Sequence, residues 1–87
     1  MKVHVKFASN MRKGSNIVDL WMHFQNNEVT VKEVLDKLER EKKIKVDLKD
    51  TSIIILVNGR RVEFVGGFDA KLKDMDEVVV MPIISGG

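Results

Sequence analysis

The sequence predicts a two-layer α+β domain: a mixed sheet of four or five strands covered on one face by one main helix. Three observations carry this expectation. Runs near both ends have the make-up of strands, and those near the start alternate apolar and polar residues with period two. A central stretch, "VTVKEVLDKLEREKK", switches to helical spacing. An Asn-Gly pair separates two further extended runs, a hairpin signal. With 87 residues, 44% hydrophobic and 32% charged, the chain has material for one core and no room for two.

"KVHVKFA" opens the chain with Val3, Val5 and Phe7 on one face and His4 and Lys6 on the other, a half-buried strand. "SNMRKGSN" carries Gly14 among turn formers and reads as a hairpin loop. "IVDLWMHF" alternates again, with Val18, Leu20, Met22 and Phe24 facing the core and Trp21 left on the outer face beside Asp19 and His23.

Thr30 followed by Glu33 is a capping box that opens a helix over about residues 31–43. Val31, Val34, Leu35 and Leu38 form its buried stripe. Glu33–Lys37 and Asp36–Arg40 have the spacing of i,i+4 ion pairs, and Lys42 and Lys43 suit the helix C-terminus. Ile44, Val46 and Leu48 are expected to tuck beneath the helix. "SIIILV" is a strand, Asn58-Gly59 its turn, and "RRVEFV" the returning strand. "GGFDAKLKDMD" reads as a loop anchored by Phe68 and Leu72. "EVVVMPI" is the last strand, with Pro82 at an edge or a strand end.

Composition narrows the chemistry. Without cysteine there are no disulfides, thiolate zinc sites, cysteine-ligated clusters or cysteine nucleophile, which fits a cytoplasmic protein. The net charge is +2, but Arg12, Lys13, Arg60 and Arg61 fall in loops or turns, and five aromatics (four Phe, one Trp) offer little for stacking. No direct nucleic-acid partner is expected. No apolar run approaches the ~20 residues of a membrane span, and "MKVHVKFASN" is a strand rather than a leader.

His4 and His23 share the outer face of neighbouring strands, but two imidazoles without a further ligand make a poor metal site, and surface histidines are the expectation. Ser9, Ser15, Ser52 and Ser85 sit in no nucleophile elbow. Gly66-Gly67 lacks the helix and the Lys-Ser/Thr pair of a phosphate loop. Asp74, Asp76 and Glu77 beside a turn read as turn chemistry. No metal, bound cofactor or self-contained active site is expected.

Two features remain. If Ile53, Ile55 and Val57 face the helix, together with Val78 and Val80, then Ile54, Leu56, Val79 and Met81 point outward and with Trp21 form an apolar docking patch. The chain then closes with "PIISGG". Residues 1–82 are expected to be the domain and 83–87 a flexible tail, whose distinctive group is the α-carboxylate of Gly87. Glycines at 86 and 87 let such a tail pass through a narrow channel that would exclude side chains.

The order of elements with a terminal diglycine resembles the MoaD/ThiS-type ubiquitin-like sulfur carriers, a family of β-grasp fold that includes the small subunit of molybdopterin synthase. "FASNMRKGS", with Met11-Arg12, is similar to the family's first loop, "VTVKEVLDKLE" to its helix start, and "LVNGRRV" to its hairpin. "FDAKLKDMDEVVVMPIISGG" is similar to its ending, and the resemblance spans essentially the whole chain. Met75 departs from the pattern, standing where the family commonly has glycine before the aspartate.

The resemblance implies that Gly87 is adenylated by a MoeB-like enzyme using ATP and Mg²⁺, then converted to a thiocarboxylate by a sulfur donor system. It implies that Gly86 aids threading, and that Ile54, Leu56, Val79, Met81, Pro82, Ile83, Ile84 and Ser85 meet partners. A MoaE-like large subunit receives the tail for molybdopterin synthesis in the molybdenum cofactor pathway. Related carriers serve thiamine synthesis or tRNA thiolation, or are conjugated to lysines as protein modifiers.

Overall fold

The computed structural model describes residues 1–11, 14–47 and 49–83. Strand β1 (Lys2–Met11) and strand β2 (Gly14–His23) form an antiparallel ribbon whose register runs unbroken from Lys2 opposite His23 to Met11 opposite Gly14. The strands therefore continue through most of the segment expected to be a loop. Ser9, Asn10, Ser15 and Asn16 carry no alternation of hydrophobicity, so pairing there left no trace in the pattern. Arg12 and Lys13 lie outside the described residues.

A two-residue strand, β3 (Val29–Thr30), leads into helix α1 (Val31–Lys42). The capping box forms on both sides: the Glu33 N–H donates to Thr30 Oγ1 at 3.2 Å, and the Thr30 N–H donates to Glu33 Oε1 at 3.4 Å. Lys43 caps the helix in the left-handed region, so the helix ends at Lys42, one residue before the expected end. Val31, Val34, Leu35 and Leu38 are buried, as their spacing requires. The expected i,i+4 pairs do not close; Lys37 instead meets Glu41 at 3.3 Å and lies over the Phe24 ring. Glu33 and Glu41 are both exposed, so either carboxylate is a nearly equivalent partner for Lys37.

Strand β4 (Ile53–Val57), strand β5 (Arg60–Arg61), strand β6 (Lys71–Leu72) and strand β7 (Glu77–Pro82) complete the fold. The main sheet has the order β2-β1-β7-β4-β5, with β1 and β7 parallel and the other neighbours antiparallel; β3 and β6 pair as a second small sheet. The return from the Asn58-Gly59 turn is shorter than expected. After Arg61 the chain enters 3₁₀ turns at Val62–Phe64 and Gly67–Asp69. Val62 thereby reaches the core and Phe64 stays exposed.

The core lies between α1 and one sheet face. Val3, Val5, Met22, Ile55, Val57, Val78 and Val80 meet the helix stripe, with Val29 and Leu72 closing one end. Phe24, Ile44, Val46 and Phe68 pack against it partly buried, as read from the pattern; Leu48 lies outside the described residues. At the turn before β7, Met75 holds φ 74°, the conformation that glycine adopts without strain. Its N–H donates to Lys2 O at 2.8 Å, so the glycine-like geometry persists with a methionine in place.

Candidate functional site

Five strands build the sheet face turned away from α1. Because β1 and β7 run parallel, side-chain rows cross the sheet in a fixed order. One row reads Asp19, Lys6, Val79, Leu56, Arg61. The row toward the start of β7 is Trp21, His4, Glu77; the row toward its end is Ile17 beside Ala8, and Met81 beside Ile54. Charge thus concentrates where β7 begins and apolar surface where it ends. That polarity follows from the order Glu77, Val79, Met81 along one strand.

Ile54, Leu56, Val79 and Met81 all stand on this face and are half-buried, while Ile55, Val57, Val78 and Val80 beneath them are buried. The parity read from the sequence is correct. Leu56 faces Val79 and Ile54 faces Met81, so the four cover one another in part. Pro82 pairs with Ile53 at the end of the ladder, and the Ile83 N–H still donates to Ser52 O at 2.7 Å. Ile83 is 40% exposed. Ile84, Ser85, Gly86 and Gly87 lie outside the described residues.

Trp21 does not join this apolar group. It sits on β2, two strands from β7, 43% exposed, and its ring stacks on His4 with centroids 4.7 Å apart. Lys2 Nζ lies 4.9 Å from the same indole. His4 is turned into a polar network: Nε2 meets Asp19 Oδ1, and Nδ1 meets Glu77 Oε2 at 3.2 Å, with Lys6 3.9 Å from the same Glu77 oxygen. Alternation alone put His4 and Asp19 on one face; only the cross-strand register brings Glu77 to them. His23 stands diagonally from His4, and among the described residues no group of three or more histidine or acidic side chains is arranged to hold a metal.

The carboxylates at the turn are occupied by backbone. Asp74 Oδ1 accepts from the Lys2 N–H at 2.8 Å. Asp76 accepts from the Lys73 N–H at 2.8 Å and from Asn58 Nδ2 at 3.1 Å. Ser52 donates its hydroxyl to Asp50 Oδ1 at 2.6 Å, and those bonds hold the Asp50 carboxyl below its usual range. Such groups build turns. What the face offers chemically is an apolar surface beside a charged one, a composition suited to a protein partner.

The ThiS family model matches residues 12–87. No curated protein matches the sequence. Among solved structures, the Haloferax volcanii HVO 2177 protein is similar at TM-score 0.63 and 27% identity, over 100% of this chain and 87% of that one. Small archaeal modifier protein 1 from Methanosarcina acetivorans is similar at TM-score 0.61 and 25% identity, over 99% and 96%. A chain of the Amycolatopsis orientalis BexX/CysO complex is similar at TM-score 0.58 and 26% identity, over 95% and 99%. The fold is the ubiquitin-like β-grasp, and no helix among the described residues is long and apolar enough to cross a membrane. With the family model covering all but the first strand and extending over Gly86 and Gly87, the chain belongs to the ThiS family of ubiquitin-like sulfur carriers and modifiers.

Proposed function

We propose that this chain carries sulfur on the α-carboxylate of Gly87 and delivers it into molybdopterin, the organic part of the molybdenum cofactor. A carboxylate is a weak electrophile and must be activated. A MoeB-like enzyme does so with its own ATP and Mg²⁺: a carboxylate oxygen attacks the α-phosphorus, and pyrophosphate leaves. A sulfur donor system then supplies a sulfide-level nucleophile that displaces AMP and leaves a thiocarboxylate. In a MoaE-like large subunit the thiocarboxylate sulfur attacks a carbon of a cyclic pterin precursor and displaces an oxygen leaving group. Water then cleaves the resulting thioester, leaving the thiol on the pterin and releasing the carboxylate of Gly87. Tethering raises the local concentration of sulfur at that site.

In this reading residues 1–82 are the handle and 83–87 the working tail, acting in the cytoplasm. Ile54, Leu56, Val79 and Met81 dock the partners, with Pro82, Ile83, Ile84 and Ser85 leading Gly86 and Gly87 into the catalytic channel. The reading is supported above all by the family match extending through Gly87. The apolar end of the outer face, at the end of β7, supports the docking role.

Intact-mass spectrometry tests it. After incubation with a MoeB-like enzyme, ATP, Mg²⁺ and a sulfur donor, the chain gains the mass difference between sulfur and oxygen. Addition of a MoaE-like subunit and the pterin precursor reverses the gain. The likeness to a small archaeal modifier protein favours a second reading, in which activated Gly87 forms isopeptide bonds with lysines of other proteins. That reading predicts higher-mass conjugates. A persistent thiocarboxylate that the pterin precursor does not discharge directs the sulfur to tRNA or thiamine instead.

A further inference from the structure

The two edges of the main sheet differ. At one, β5 is two residues long, both arginine, and gives way to a 3₁₀ turn at Val62. Short, charged edges of this kind resist pairing with other chains. At the other edge, β2 is ten residues long and, among the described residues, has a neighbour on one side only. From Ile17 to His23 it contains no lysine, arginine or proline, and its one carboxylate, Asp19, is bonded to His4.

The direction of the open backbone groups follows from one pair. Met1 N donates to Phe24 O and Phe24 N donates to Met1 O, each at 2.8 Å. With the unbroken register beyond, hydrogen-bonded pairs must recur at every second position. Val18, Leu20 and Met22 are therefore bonded within the ribbon. Ile17, Asp19, Trp21 and His23 aim their N–H and C=O groups at the open edge.

We propose that a second copy of this chain pairs with β2 in antiparallel fashion about a two-fold axis at Asp19, joining two five-stranded sheets edge to edge. This register sets Ile17, 61% exposed, opposite Trp21 of the second copy, and does so twice. On the inner side it sets Val18 opposite Leu20 of the second copy; both are only half-buried in one chain. Two faces of the edge thus gain apolar cross-strand pairs together. The cost is Asp19 facing its copy. Lys6 stands beside Asp19 in the same row and brings each carboxylate its own opposing charge, so the joined row reads Lys6, Asp19, Asp19, Lys6.

Sedimentation of the purified chain over rising concentration, up to ~1 mM, tests the pairing. A reversible dimer is expected. Ile17→Pro removes an N–H that faces the open edge and bonds to nothing in β1, and Ile17→Lys places a charge there; each is expected to weaken the dimer at least ~10-fold with the thermal midpoint nearly kept. Asp19→Cys, in a chain without cysteine, is expected to form an intermolecular disulfide under mild oxidation, because paired Cα atoms at the axis lie about 5.5 Å apart. Glu63→Cys is expected to form none. A chain that stays monomeric throughout, folded Ile17 variants that dimerise like the wild type, or equal cross-linking at positions 19 and 63 each overturn the proposal.

Discussion

Leu56 stands directly opposite Val79 across the β4–β7 ladder, and both lie on the face away from α1. Neither contributes to the core, which is built from Ile55, Val57, Val78 and Val80 on the other side. A charge placed here leaves the helix–sheet packing intact, and under the proposed docking role it spoils an apolar contact with the partner. Leu56→Asp or Met81→Asp is therefore expected to weaken binding to a MoeB-like enzyme about 10- to 100-fold, roughly 1.4–2.8 kcal/mol, with cooperative unfolding retained. Titration calorimetry checks this. Unchanged affinity in both variants removes the docking role from this face.

Met75 provides a stability test independent of function. Its φ of 74° is costly for a side chain with a Cβ, and Met75 is largely exposed, so glycine loses little packing there. Met75→Gly is expected to stabilise the fold by about 0.5–1 kcal/mol in urea unfolding. A loss of stability would mean that the methionine side chain contributes more than its backbone strain costs.

Asn58 ties the β4–β5 turn to the start of β7. Its Nδ2 donates to Asp76 Oδ1, its Oδ1 accepts from the Glu77 N–H at 2.9 Å, and its φ of 50° suits asparagine better than most residues. Asn58→Ala is expected to cost about 1–2 kcal/mol by the same measurement.

Asp50 acts beside Ile83, just past the end of β7. It accepts from the Ser52 hydroxyl and N–H, and Ser52 O in turn accepts from the Ile83 N–H. The Asp50 carboxyl is held below its ordinary value, first by the Ser52 hydroxyl. A value lowered on folding adds stability above the unfolded value, and that stability is lost as pH falls through the folded one. The stability difference between wild type and Asp50→Asn is therefore expected to shrink in acid, with faster exchange of the Ile83 amide. A difference that stays constant through the acid range would contradict the coupling.

The helix, its cap and the inward parity of β4 and β7 were legible because each depends on residues close in sequence. Thr30 and Glu33 are three apart, and Glu77 at the head of an otherwise apolar run leaves Val78 and Val80 on the opposite face of β7. What depended on register was not legible. Alternation groups Trp21 with Leu56 and Met81, but the order β2-β1-β7-β4 puts the β1 strand between Trp21 and β7, and the indole stacks on His4. The β3–β6 pair escaped for a different reason: two residues per strand are too few to show a period. The ribbon through Ser9 and Asn16 escaped because the run of polar residues there leaves no alternation to read.

The central claim is that the carboxyl end works and the folded body positions it. The most direct measurement is the intact mass of wild type and of Gly87→Ala after incubation with a MoeB-like enzyme, ATP, Mg²⁺ and a sulfur donor, alongside their thermal midpoints. The account predicts oxygen-to-sulfur exchange in the wild type, none in the variant, and the same midpoint for both. Exchange in neither, or unfolding of the variant alone, would contradict it.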